Sequence, residues 1–232
     1  AQGETKVLTA SGDTWVRSSD PDKTWGRTTT LEMKTDVTNA QNFYGLMSFD
    51  IPATDDGYQV KSVTLRLVTN YKKGNSKMRI YPLTSVVTNK TTYNDVKEQI
   101  TFALEGDAIA EFAMQGNAQN SLADKIAESF YPVDTWTNNI DVTASVKSLA
   151  GEVFSFFIAK VMDQAGKSNQ IFSSRATDVT NTKITPNITF KGEDLGPQLT
   201  IVYEKSGTTG ISPVNAEKID DDAYYNLQGV KM

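Results

Sequence analysis

Trp15, Trp25 and Trp136 are the side chains with most to offer chemically, because the sequence contains no His and no Cys. Without imidazole there is no Ser-His or Cys-His catalysis and no His-ligated metal. Without thiols there is no thiolate nucleophile, disulfide framework or Cys-bound zinc or iron–sulfur cluster. Flat rings, carboxylates and cations remain. A flat ring packs against the C–H face of a pyranose, while planar polar side chains pair with its hydroxyls. Trp25 follows the charged stretch Ser18-Ser19-Asp20-Pro21-Asp22-Lys23 and precedes Gly26. That context places it on an exposed turn and makes it the first candidate for stacking on a sugar. Trp15 alternates with Val16, so one of the two faces a core; Trp136 is expected inside. Arg17 and Lys34 flank the Trp25 turn, and Tyr44 and Tyr58 extend the candidate surface. Arg175, with Arg66 and Arg79, would pair with carboxylates or sulfates on an acidic ligand; the alternative for each is an ordinary solvated charge.

The carboxylates are less informative. A glycosidase needs two of them roughly 5–10 Å apart, and Asp13, Asp20, Asp22, Asp50 and Asp141 are available, but no spacing singles out a pair. Asp50 and Asp141 fall at strand ends, where Asp caps turns. Asp20 and Asp22 share one loop and are the candidate ligands of a structural Ca2+, although Asp20-Pro21-Asp22 matches no defined calcium loop and a plain turn is the competing reading.

The elements that must carry these residues are strands. At 232 residues and 9% aromatic content the chain can bury a sizeable core. Thr, Val, Ser and aromatic residues alternate in short runs broken by Asn, Asp, Gly and Pro. Residues 14–17 read as a strand. In residues 43–49, Phe43, Gly45, Met47 and Phe49 share one face; in residues 60–69, Val63, Leu65 and Leu67 do. Lys72-Lys73-Gly74-Asn75 reads as a hairpin turn. Residues 153–161 are apolar on both faces, as expected of a central core strand, and residues 198–203 form a closing strand. The stretch 95–128 has mixed periodicity; a short helix is expected over 121–130, capped by Ser121. Asp141-Val142-Thr143 reads as a strand end entering a helical turn. This insert is expected on the rim, without assigned function.

A net charge of −5 argues against nucleic-acid binding through overall positive charge, and no apolar run approaches the roughly 20 residues of a membrane span. The opening Ala1-Gln2-Gly3 reads as the mature end of an exported chain, with an arbitrary boundary as the alternative. After Tyr203, Ser206-Gly207-Thr208-Thr209-Gly210 reads as a linker.

Several ordered segments carry a resemblance. They are Gly12-Asp13-Thr14-Trp15-Val16-Arg17, Thr24-Trp25-Gly26, Leu31-Glu32-Met33-Lys34, Gly45-Leu46-Met47-Ser48-Phe49-Asp50-Ile51-Pro52 and Val60-Lys61-Ser62-Val63-Thr64-Leu65-Arg66-Leu67. Trp136 with Ile140-Asp141-Val142-Thr143, Ser173-Ser174-Arg175 and Gly196-Pro197-Gln198-Leu199-Thr200-Ile201-Val202-Tyr203 complete the series. Over residues 7–203 the order and spacing resemble the DNRLRE-type domain, whose sugar-binding members form carbohydrate-binding module family 96. The resemblance implies a β jelly roll in exported bacterial proteins, attached to polysaccharide-degrading enzymes or surface proteins, with acidic polysaccharides such as alginate as ligands. Phe43, Tyr44 and Ser48 stand where family members often carry Arg, and Tyr93 stands where a Trp is usual. The segment Ala223-Tyr224-Tyr225-Asn226-Leu227-Gln228-Gly229 resembles the opening of the C-terminal sorting tail of exported Bacteroidales proteins.

The sequence therefore predicts an all-β fold, a single jelly-roll β-sandwich over residues 1–204 with a short mixed insert, and a linker with truncated tail over 205–232. The expected function is non-catalytic polysaccharide binding at the bacterial cell surface or in the secreted state, with Trp25, Trp15, Arg17, Lys34, Tyr44 and Arg175 as ligand contacts. The expected attachment is to an enzyme or a cell-surface assembly, without nucleic acid or membrane insertion. A structural or adhesive domain without glycan ligand, and a small polysaccharide lyase or hydrolase, are the rival readings.

Overall fold

Alternation of apolar and polar side chains along short strands accounts for most of the architecture. The computed structural model describes residues 4–26, 30–35, 41–71, 77–113, 139–161, 170–173, 179–181, 188–190 and 195–207. One antiparallel sheet has four strands in the order β1 (Thr5–Thr9), β14 (Gln198–Lys205), β5 (Tyr58–Arg66) and β9 (Ile140–Asp141). The facing sheet has five, in the order β2 (Gly12–Arg17), β4 (Phe43–Asp50), β10 (Val153–Lys160), β7 (Lys77–Leu83) and β8 (Ala110–Ala113). A three-stranded sheet of β3 (Thr30–Met33), β11 (Gln170–Ser173) and β6 (Thr69–Tyr71) joins them, and β12 (Val179–Asn181) pairs with β13 (Ile188–Phe190). The expected all-β sandwich is the fold observed.

The inner faces meet in one core. Met47 and Phe49 of β4, Phe154, Phe156 and Ile158 of β10, and Met78 and Ile80 of β7 pack with Val63 and Leu65 of β5 and Leu199 and Ile201 of β14. Burying each large side chain is worth about 1.5–3 kcal/mol, and this layer is what fixes strand register, since a one-residue slip would turn every inner side chain outward. The faces expected for Phe43 to Phe49 and for Val63 and Leu65 are those found.

The outer face of the five-stranded sheet is also covered. Helix α1 (Tyr93–Leu104) lays Val96 and Ile100 over Val16, Tyr44, Leu46, Tyr81, Leu83 and Phe157. This second cluster explains why β10 is apolar on both faces: it is central in its sheet and sits between the sandwich core and a helix. Among these apolar residues one polar pair is buried. Ser48 and Ser155 face each other across β4 and β10 with hydroxyl oxygens 2.7 Å apart, and Ser48 Oγ accepts the Val87 N–H at 2.8 Å.

Helix α1 was not among the expected elements. Thr92 Oγ1 accepts the Asp95 N–H and the Asp95 carboxylate accepts the Thr92 N–H, a reciprocal capping box that opens α1. The Thr-x-x-Asp signal was present in the sequence, inside a stretch whose periodicity is mixed because α1 buries only a narrow stripe. Residues 121–130, Trp136 and the turn at 72–75 lie outside the described residues. The predicted helical turn after Asp141 is α2 (Thr143–Val146). Among the described residues no helix is long and apolar enough to cross a membrane.

Candidate functional site

Strand pairing at one edge of the five-stranded sheet gathers aromatic rings and cations. Among the described residues β2 is an edge strand, and its register on β4 sets Trp15 beside Gly45 and Arg17 beside Phe43. Directly opposed residues project to the same face, so Trp15, Arg17 and Phe43 share one surface. Gly45 is required there: a Cβ would come within 2.9 Å of Met33 Sδ, which occupies the space above it. The Trp15 and Phe43 rings lie 5.3 Å apart. Lys34 adjoins them through a bridge to Phe43, with its Nζ 5.3 Å from the Phe43 ring centre and donating to Gln41 Oε1 at 3.2 Å.

The loop after β2 then folds back. The Arg17 guanidinium pairs with the Asp20 carboxylate, and the Lys23 N–H donates to the Asp20 carbonyl. This turn stacks Trp25 on Trp15 with ring centres 4.2 Å apart and planes inclined by 27°. Lys23 Nζ lies 4.0 Å from the Trp25 ring centre and Arg17 Cζ lies 5.0 Å from it. Trp15 is left only 4% exposed, while Trp25 is half-buried. Trp25 is thus the outer ring of a two-ring stack, with Lys23 and Arg17 lying over it.

The loop is held by the start of α1. Asn94 donates from its N–H to the Pro21 carbonyl at 3.0 Å and from Nδ2 to Asp22 Oδ1 at 2.6 Å. Gly26 packs directly on Asn89, where a Cβ would fall 2.2 Å from the Asn89 Cα and carbonyl oxygen. Asn94 and Asn89, just ahead of the insert expected on the rim, therefore brace the loop that carries Trp25.

Of the sequence candidates, the fold brings together Trp15, Trp25, Arg17 and Lys34. Two expectations need correction. Trp15 does not itself present a ring to solvent, because Trp25 covers it. Tyr44 does not extend the surface: one residue beyond Phe43, it points to the opposite face of β4 and lies 5% exposed beneath α1, its ring edge-on to Phe157. Burial there, with Tyr93 nearby, pushes its phenol up to about 12. Arg175 lies outside the described residues. Lys23 and Phe43 were missed. Alternation had placed Phe43 on the correct face, but nothing local marked that face as ending at the sheet edge.

Asp20 and Asp22 are engaged by different groups, Arg17 and Asn94, as loop staples. Calcium requires six to eight oxygens, and among the described residues no group of three or more acidic side chains gathers. Asp141 accepts from the Thr143 N–H and hydroxyl, which lowers its carboxyl below the usual range; it is the turn cap expected. Asp50 is exposed at a strand end.

No curated protein matches the sequence. A solved structure of PNGF-II is similar at 12% identity with a TM-score of 0.37; the match covers 85% of this chain, which spans 34% of the length of that one. Residues 4–100, the stretch that runs from β1 into α1 and contains Trp15, Arg17, Lys23, Trp25, Lys34, Phe43 and Asn94, match the model of carbohydrate-binding module family 96.

Proposed function

We propose that this protein binds a polysaccharide without acting on it, and that Trp25 is the platform. The observation that carries this reading is the Trp15–Trp25 stack: a half-buried indole held against a buried one, with Lys23 and Arg17 over it and Lys34 by the neighbouring Phe43, on a loop tethered to α1. A ring fixed in advance loses little entropy when a pyranose lands on it, so a small contact still yields useful affinity. The family match over the same residues supports a carbohydrate ligand. Two cations by the ring, Lys23 and Arg17, and a third, Lys34, by Phe43, in a chain of net charge −5, favour an acidic glycan whose carboxylates or sulfates would meet them. A secreted or cell-surface setting, with attachment to an enzyme or surface assembly, completes the proposal; tethering turns weak single-site binding into local enrichment.

The test is affinity electrophoresis against alginate, pectin, xylan and host glycans with the protein and its Trp25→Ala variant. Retardation in an acidic glycan that Trp25→Ala abolishes supports the proposal. No retardation in any gel, or equal retardation of the variant, refutes it. The reading as a spacer without glycan ligand draws on the burial of Trp15, and total indifference to every glycan would favour it. Release of reducing ends or unsaturated products during incubation would instead favour a lyase or hydrolase.

A further inference from the structure

The same helix that braces the Trp25 loop also exposes a large apolar side chain. Val96 and Ile100 face the sheet, yet Phe102 is 80% exposed. Beside Phe102 a cavity of about 470 Å3 opens between the end of α1 and the end of β7, lined by Pro82, Gln99, Phe102, Ala103, Glu105 and Asp107 among others. Scattered exposed apolar residues need no explanation, but apolar residues lining a cavity mark an interaction site.

The polar groups around this groove restrict what it accepts. Gln99 Oε1 already accepts from the Thr84 N–H at 2.8 Å, the Ser85 N–H at 3.2 Å and the Thr84 hydroxyl at 2.9 Å, and its amide nitrogen donates to Ser85 Oγ. Pro82 has no N–H to give. The end of β7 therefore has its donors spent and cannot take up an added strand through Thr84 or Ser85, and Gln99 has no oxygen lone pair left to read sugar hydroxyls. Charge supplies the rest. Glu105 and Asp107 stand at the rim, and neither has an ion-pair partner among the described residues. The last turn of α1 contains no basic residue, so the negative end of its dipole adds to theirs.

We propose that the Phe102 groove is a docking site for a basic segment of another protein, in which an apolar side chain fills the cavity and flanking Lys or Arg residues meet Glu105 and Asp107. This partner site is separate from the Trp25 loop and does not depend on the glycan reading. The experiment is fluorescence anisotropy of the full chain with a labelled heptapeptide carrying Leu-Phe between Lys and Arg residues, against a counterpart with Glu in place of the basic residues. Expected are saturable binding of the basic peptide, roughly tenfold or greater preference over the acidic one, and reversal of that preference by Glu105→Lys with Asp107→Lys. Phe102→Ser alters an exposed side chain, so the fold should persist while affinity falls about tenfold or more. Absence of saturable binding, equal binding of both peptides, or indifference to Phe102→Ser overturns the proposal. So does loss of glycan retardation in Phe102→Ser, which would place a sugar in the groove.

Discussion

Replacing Gly26 by alanine tests whether the Trp25 loop is truly held in place by α1 and the segment before it. The added methyl carbon would sit 2.2 Å from the Asn89 Cα and carbonyl oxygen, where ordinary contacts begin near 3.4 Å. Both obstacles are backbone, so no side-chain rotation relieves them, and loop and segment must part by at least about 1 Å. Overpacking of this kind costs about 1–3 kcal/mol. For a domain of this size each kcal/mol lowers Tm by roughly 2–4 °C, giving an expected fall of about 2–12 °C. Trp25 is the adjacent residue, so its ring shifts off Trp15 and away from Lys23. The stack is worth about 0.5–1.5 kcal/mol and the cation contact about 0.5–1 kcal/mol. A ligand that needs the ring back in register must supply that energy, which weakens binding by about 5- to 70-fold. Thermal unfolding by circular dichroism and glycan affinity measured well below Tm read the two effects separately. A Gly26→Ala protein with unchanged Tm and unchanged glycan affinity would refute the packing argument and, with it, the claim that the ring is pre-positioned.

Asn94→Ala keeps the N–H bond to Pro21 but removes the side-chain bond to Asp22; the expected outcome is a loss of about 1 kcal/mol in urea unfolding and a few-fold weaker glycan retention, while equal retention would show that Asp22 needs no tether. Alkaline stability should depend on Tyr44. Its phenol rises from 10.0 to about 12 in the folded state, so its contribution is complete below pH 10 and is lost as pH rises from about 10 to 12, with an upper limit near 3 kcal/mol. Tyr44→Phe should flatten that part of the stability–pH curve, and an unaltered curve would contradict the burial argument. Chelation by EDTA should leave Tm within about 1 °C because Asp20 and Asp22 already hold Arg17 and Asn94; a larger fall reversed by added Ca2+ would return both residues to metal binding.

Local pattern was enough for much of this molecule. Alternation in residues 43–49 put Phe43 and Met47 on one face, the doubly apolar run at 153–161 marked the central strand, and the proline-containing segment before Trp25 marked a turn. These are properties of a strand's period of two and of turn chemistry, which a residue shares only with its sequence neighbours. What covers each face is a different matter. Trp15 and Trp25 are ten positions apart, and only the fold of the loop stacks them. Tyr44 is buried because a helix more than 40 residues later packs over it, and that helix was obscured by its narrow buried stripe. The tether from Asn94 to Asp22 spans 72 positions. Contacts at such separations arise from how strands and crossovers pair in space, so side-chain type and spacing named the candidate rings while tertiary packing decided which one is buried and which lies outside it.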